Sequence, residues 1–336
     1  MRNIFFLCLG IVFSISTIAQ QPNAKELYDA ARKLMMQGDY VNAQQSLDKA
    51  LQLSPGNYEM LKDKVYLQLL QRDFTGALET GKPLTDRPDG DFQAFQLVGM
   101  VYKEIADYKE CEKLYKKGIK RFPNSGVLYS EYGDLMVQLN NGEEAINQWE
   151  AGIKADPNHS SNYYNATRYY TQKENLFWVI IYGEIFLNIE SYTNRSAEVK
   201  NVLLEAYKRL FKPGAMESMQ VAANNFQLAV ITEMRKTPVA LLTTITPDNL
   251  MAIRTRFILN WFATDKQLPF ALFDYHRFLM KEGLFEAYNQ WVFGPAASTA
   301  NYQVWQDTNA EQVRRFKDYQ RNNLFKIPSG QYYRAK

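Results

Sequence analysis

A short phrase that returns every 34 residues constrains this chain more than anything else in it: Gly38-Asp39-Tyr40-x-x-Ala43, followed by Leu47, Ala50 and Pro55. A frame stepped by 34 from Ala24 starts again at Tyr58, Phe92, Gly126 and Ser160. Within it a large side chain recurs at Tyr40, Phe74, Tyr108 and Leu176. The small position three residues later reads Ala43, Ala77, Cys111, Ala145 and Val179. Only the fourth copy breaks the large position, with Gly142. Pro55, Pro123 and Pro157 fall in phase and Pro88 falls one residue early; each stops a helix and turns the chain. Leu27, Leu61, Phe95, Tyr129 and Tyr163 repeat in the first half of each copy, joined by Gly99 and Gly133 where two helices must come close.

One short helical hairpin cannot bury its apolar face alone, so copies stack and each completes its neighbour's core. On that logic Ala43, Ala77, Cys111 and Ala145 let the helices of a pair close up. Tyr40, Phe74 and Tyr108 are expected to fill the space between pairs, and Cys111 reads as a small buried hydrophobe. The pattern resembles the tetratricopeptide repeat family over residues 24 to 191. The resemblance implies an all-α chain: a TPR-type α-solenoid of about five hairpins, continuing into a helical C-terminal region. It also implies a scaffold that binds protein, although a fold by itself chooses no partner.

The first residues bear on location. Arg2 and Asn3 give a short polar start, Ile4 to Ile15 is apolar, and Ser16-Thr17-Ile18-Ala19 closes with small residues, the layout of a secretory signal peptide. The expected organisation is therefore a signal at 1–19, repeats over 20–191 and a helical region over 192–336. The apolar run is too short to span a bilayer, so the mature chain is expected in the periplasm or on the periplasmic face of an outer membrane. No small cleavage-type residues precede Cys8, which argues against a lipid-modified cysteine. The ending Thr-Ile-Ala-Gln also resembles cell-envelope repeat proteins of the Bacteroidetes group. Losing Cys8 leaves Cys111 alone, which excludes an intramolecular disulfide and any multi-cysteine metal site. The net charge of +3 lies far from the strongly basic balance of nucleic-acid binders, and none is expected as a partner.

Beyond about Arg195 the repeat phase is lost while helical periodicity continues: Ala197 to Phe211, Met216 to Lys236, and a stretch opened by Thr246-Pro247-Asp248 that runs to Phe262. The nine residues Glu144 to Gly152 are echoed by Glu286 to Gly294 as Glu-Ala-x-Asn-Gln-Trp-x-x-Gly, at a separation six residues longer than four periods. This suggests a degenerate repeat at about 268–294, with Ala287 at the small position and Trp291 at the large one. A last helix is expected from Asn309 to Asn323. It carries a basic tail, Arg314, Arg315, Lys317 and Arg321, that caps the array or meets an acidic partner or anionic lipid.

Catalysis needs titratable groups held together, and this chain is poor in them. It has two histidines, and it lacks a phosphate loop, a GxSxG elbow and an HExxH helix. His276 with Glu282 and Glu286 does not share one helical face, and Asp86-x-x-Asp89-Gly90-Asp91 lacks the closing Glu of a calcium loop. The expectation is no catalytic residue, no metal and no cofactor. Binding has better candidates, because the frame places Lys25, Tyr28, Arg32, Lys62, Tyr66, Gln93, Gln96, Tyr164 and Arg168 on the concave first-helix face. Tyrosine beside Arg, Lys and Gln can stack on, and hydrogen-bond, a polypeptide partner. Family members that clamp a carboxylate terminus carry Asn where this chain has Arg32 and Tyr66, so that subtype is set aside. The alternative reading is a ligand-binding protein or hydrolase with a pocket near Trp261, His276 and Trp291.

Overall fold

A computed structural model describes residues 23–220, 223–238, 241, 244–263 and 268–334, and the expected signal segment 1–19 lies outside them. The described residues form eighteen helices and no strand. By packing, the chain divides after Leu84 into two compact units, 1–84 and 85–336.

The first unit holds α1 (Ala24–Met36), α2 (Tyr40–Leu53), α3 (Tyr58–Leu70) and α4 (Phe74–Leu84). The second opens with α5 (Phe92–Glu104), α6 (Tyr108–Arg121), α7 (Gly126–Gln138), α8 (Gly142–Ala155), α9 (Ser160–Gln172) and α10 (Leu176–Ile189). The five first helices begin at the residues from which the 34-residue frame is stepped, and the five second helices begin at its large position, Tyr40, Phe74, Tyr108, Gly142 and Leu176. The turn inside each hairpin shows why. Gly38, Arg72, Ala106, Asn140 and Glu174 all have φ between 56° and 78°, one repeat apart. The following residue, Asp39, Asp73, Asp107, Asn141 or Asn175, donates its N–H back five residues, closing the first helix. Its side chain then accepts the N–H of Asn42, Gly76, Glu110, Glu144 or Trp178 and caps the second helix. A left-handed residue followed by Asp or Asn is thus the structural unit that repeats.

Ala43, Ala77, Cys111 and Ala145 are fully buried, as expected of the small position. Burial pushes the Cys111 thiol up to about 11, so it stays a packed hydrophobe. Tyr40, Phe74 and Tyr108 start the second helices and are only half-buried, with Tyr40 packed against the core that includes Met60 and Leu67 of α3. About two turns further along, Leu47, Tyr115 and Trp149 are buried inside each pair. These lie sixteen residues after Ala31, Gly99 and Gly133, each a large group on the second helix set against a small one on the first. A Cβ on Gly99 would stand 2.3 Å from the Tyr115 Oη, and one on Gly133 would stand 2.2 Å from the Trp149 Nε1. The close approach expected at these glycines is therefore an aromatic ring on the partner helix.

Four of the five second helices have 14 residues, whereas α4 has 11 because Pro83 lies inside its last turn and removes a helix N–H. The division into units falls where this shortened helix stops.

The expected boundary at 191/192 is not a gap in packing. α11 (Asn194–Leu210) begins one period after α9, so the phase expected to be lost near Arg195 persists for one more first helix. The remaining helices are α12 (Ala215–Gln220), α13 (Asn225–Met234), α14 (Pro247–Ala263), α15 (Ala271–Lys281), α16 (Phe285–Ala297), α17 (Thr299–Thr308) and α18 (Ala310–Asn322). The single helix expected over Met216 to Lys236 is two, because Asn224 forms a capping box with Gln227 and restarts it. α10 is apolar all round and eleven of its residues are buried, since the C-terminal helices pack on the side that a terminal repeat would leave in water.

The echo at 286–294 lies in α16. The α15–α16 turn repeats the closure of the earlier hairpins, with Gly283 at φ 66° and Leu284 donating to Leu279. By that turn, Tyr288 takes the place of Ala145, so the sequence echo is one residue out of register. A buried Tyr where a repeat needs a small residue keeps the pair apart, and α16 packs chiefly against α11 and α14.

Candidate polypeptide-binding site

In the first unit, α1 and α3 present the side chains expected on the first-helix face. The Tyr28 hydroxyl donates to Asp63 at 2.8 Å, Arg32 Nε lies 3.6 Å from the same carboxylate, and the guanidinium sits 5.8 Å from the Tyr28 ring centroid. Burial, reinforced by the Asp63 hydrogen bond, holds the Tyr28 phenol well above its usual range, so it remains a donor. Beside this cluster runs an open groove of about 550 Å³ whose wall includes Arg32, Met36, Tyr40, Asp63, Tyr66 and Leu70. Met36 is 83% exposed and Tyr66 40%. Lys25 is exposed in the first turn of α1. Lys62 is the exception: it is buried, with its ammonium 3.0 Å from Glu59 and 5.0 Å from the Tyr58 ring centroid, so it is turned away from any partner.

The second unit repeats the arrangement. The Gln96 amide donates to Glu131 at 3.0 Å, and the Tyr164 hydroxyl donates to Glu198 at 2.6 Å. Arg168 lies 3.7 Å from Glu198 and 5.6 Å from the Tyr164 ring, while Arg195 approaches the same ring at 4.9 Å. Gln93 is exposed. Tyr28, Gln96 and Tyr164 therefore each bond an acid on the next first helix. The repeat frame puts these residues on one face, but nothing local in the sequence shows that Asp63, Glu131 and Glu198 engage them. What remains open to a polypeptide is ring faces, guanidinium groups and the apolar groove by Met36 and Tyr66.

The basic tail is split. Arg314, Lys317 and Arg321 line a shallow groove of about 420 Å³ with Gln303 and Gln306 of α17, whereas Arg315 donates to the Glu282 carbonyl at 3.0 Å.

Trp261, His276 and Trp291, offered as the edge of a ligand pocket, are buried in the core. His276 Nε2 lies 2.9 Å from Glu184 and 3.1 Å from Arg254 Nη2. Arg254 pairs with Glu184 and donates to Asn289 at 2.5 Å, and Tyr288 donates to Glu184 at 2.7 Å. Burial alone would raise the Glu184 carboxyl, but Arg254 and His276 hold it down at about 2. The acids of Asp86-x-x-Asp89-Gly90-Asp91 are likewise engaged: Asp86 pairs with Lys117, Asp89 with Arg87 at 2.7 Å, and Asp91 caps α5. Among the described residues, no group of three His, Cys, Asp or Glu side chains is placed to hold a metal ion, and no helix is long and apolar enough to cross a membrane.

Tandem hairpins closed by a left-handed residue, each packing a large second-helix side chain against a small first-helix one, define a helical-repeat scaffold. Residues 34–100 and 92–125 match two tetratricopeptide repeat family models, so this stretch of the chain is built of tetratricopeptide repeats. It is 27% identical over 159 residues to a DnaJ protein homolog of Arabidopsis thaliana, covering 43% of this chain and 33% of that one. It is 30% identical over 89 residues to a protein of Schizosaccharomyces pombe named "Probable assembly chaperone of rpl4", covering 26% of each. The chain thus spans about a third and a quarter of these curated relatives. Similar solved structures include a tetratricopeptide repeat protein of Thermus thermophilus, at 15% identity and TM-score 0.43 over 55% of this chain and 98% of that one. Pseudomonas aeruginosa pilF is similar at 12% identity and TM-score 0.46 over 59% and 87%. A repeat protein of Parabacteroides merdae is similar at 15% identity and TM-score 0.41 over 72% and 94%. A fold of this kind builds a protein-binding scaffold.

Proposed function

We propose that this chain is an exported, non-catalytic scaffold of the periplasm or cell envelope. In this reading it holds an envelope protein against the groove between α1 and α3, as an accessory subunit of an outer-membrane assembly. One observation carries the choice of surface: Met36 and Tyr66 expose apolar area directly beside Arg32, whose position is set by Asp63 and the Tyr28 ring. An exposed apolar strip with a fixed cation at its edge suits a segment that brings an apolar side chain and a carboxylate. The signal-type sequence at 1–19 supports export. The test of surface is affinity capture with wild-type chain and with Arg32→Glu/Tyr66→Ala. A protein retained by the first and lost by the second supports the groove, and equal retention refutes it. The test of export is the mass of the chain recovered from fractionated cells, which should begin at Gln20.

A further inference from the structure

The last described residues, 323–334, form no helix and lie against the second unit the way a bound peptide lies in a receptor. The Asn158 side chain reads the backbone of Ile327 in both directions, accepting its N–H at 2.9 Å and donating to its carbonyl at 3.1 Å. Asn224 donates to the Tyr333 carbonyl at 2.9 Å, and the N–H of Ala271 donates to Gln331 Oε1 at 2.6 Å. The Tyr333 ring stacks on Phe226 with centroids 4.6 Å apart and planes 16° from parallel, and its hydroxyl donates to the Pro269 carbonyl. The end of the segment is anchored by charge. Arg334 Nε lies 2.7 Å from Glu150, and the guanidinium is 4.9 Å from the Tyr170 ring and 5.7 Å from that of Trp178.

Glu150 explains why the segment is chosen. It is 9% exposed and its other neighbours are hydroxyls, Tyr170 at 2.6 Å, Tyr182 at 3.4 Å and Tyr332 at 3.2 Å, so Arg334 is the cation that balances it. A buried carboxylate needs such a partner, and a guanidinium flanked by aromatic faces meets that need better than an ammonium. Recognition of main chain by Asn158 and Asn224 is indifferent to the tail's side chains. The aromatic seat at Phe226 and the cage around Glu150 demand an aromatic residue followed by arginine. Lifting the tail breaks no helix.

We propose that this cleft is a binding site for an extended peptide carrying an aromatic-aromatic-arginine sequence, and that the chain's own Tyr332-Tyr333-Arg334 keeps it filled until a partner segment of the same chemistry displaces it. The proposal stands apart from the α1–α3 groove and survives if that groove binds nothing.

The experiment uses the full-length chain and a fluorescent peptide of residues 327–336. A tethered tail competes at an effective concentration on the order of millimolar, so the intact chain should bind a micromolar peptide ~100-fold more weakly than a chain whose tail is released. Full-length Tyr333→Ser/Arg334→Glu releases the tail and should bind the peptide, at least tenfold more tightly than wild type. Adding Glu150→Gln to that variant should abolish binding, as should Arg334→Glu in the peptide. A tail variant with native circular dichroism that fails to bind, or that binds no better than wild type, overturns the proposal. So does a tail variant that loses its helical spectrum, since the tail would then be part of the core.

Discussion

The Trp149 indole occupies the space beside Gly133, where a Cβ would lie 2.2 Å from its Nε1. That N–H reaches the Ser130 carbonyl at 3.3 Å, so the ring is held as well as packed. Gly133→Ala should therefore cost about 1–3 kcal/mol through overpacking, read as a lower melting temperature. Adding Trp149→Leu should recover part of the loss, because the first repeat buries Ala31 and Leu47, the same two residue types at the same two positions, in one core cluster. Strictly additive losses would mean the two sites are not packed as described.

The turns make the opposite prediction. Arg72, Ala106, Asn140 and Glu174 hold φ near 60° with a Cβ present, where the first repeat uses Gly38. For Ala106, relief of the left-handed strain outweighs the extra entropy of a glycine in the unfolded chain. Ala106→Gly should stabilise by about 0.5–1 kcal/mol, checked by denaturant midpoint at unchanged m-value, and a destabilised variant would show that the turn is not left-handed.

The buried Glu184–Arg254 pair fixes how the protein responds to acid. Glu184 titrates at about 2 in the fold against its usual 4.5, so its stabilisation is full above pH 4.5 and is lost as pH falls towards 2. Burial lowers His276 below its usual 6.5, so on acidification the unfolded chain takes up a proton there before the folded chain does, and stability begins to fall near pH 6.5. His276→Gln should lessen the loss of stability that sets in near pH 6.5 without abolishing it, because burial lowers His159 below 6.5 in the same way, and pH-dependent thermal melts check it. Glu184→Gln leaves Arg254 buried without its counter-charge and should cost about 3–5 kcal/mol at neutral pH.

The starts of ten helices were legible because each depends on residues within one hairpin: a small position, a turn and an in-phase proline. The capping Asp or Asn after each left-handed residue was equally visible, at Asp39, Asp73, Asp107, Asn141 and Asn175, and marks the turn better than glycine does. Pro88 was the expected stop of the second helix in this repeat, whereas α4 ends at Leu84, one residue after Pro83. The Glu184–Arg254 pair was hidden, since its members are far apart in sequence and nothing local says that an acid on the most apolar helix has a partner. The groove residues were placed on the correct helices, but their use was not legible. Tyr28 and Tyr164 read as free hydroxyls until Asp63 and Glu198 are seen on the first helix one repeat on. The echo around Trp291 misled because matching side chains fixed neither the turn nor the packing.

The most direct test of the scaffold reading places a photo-crosslinking residue at Met36, beside Arg32 and Tyr66, and another at Lys49, exposed on α2. Both are expressed in the full-length chain in cells of its own source. One discrete crosslinked polypeptide from position 36, lost when Arg32→Glu is added and absent from position 49, is the predicted result. No crosslink from position 36, or the same products from both positions, would contradict the groove as the partner's site.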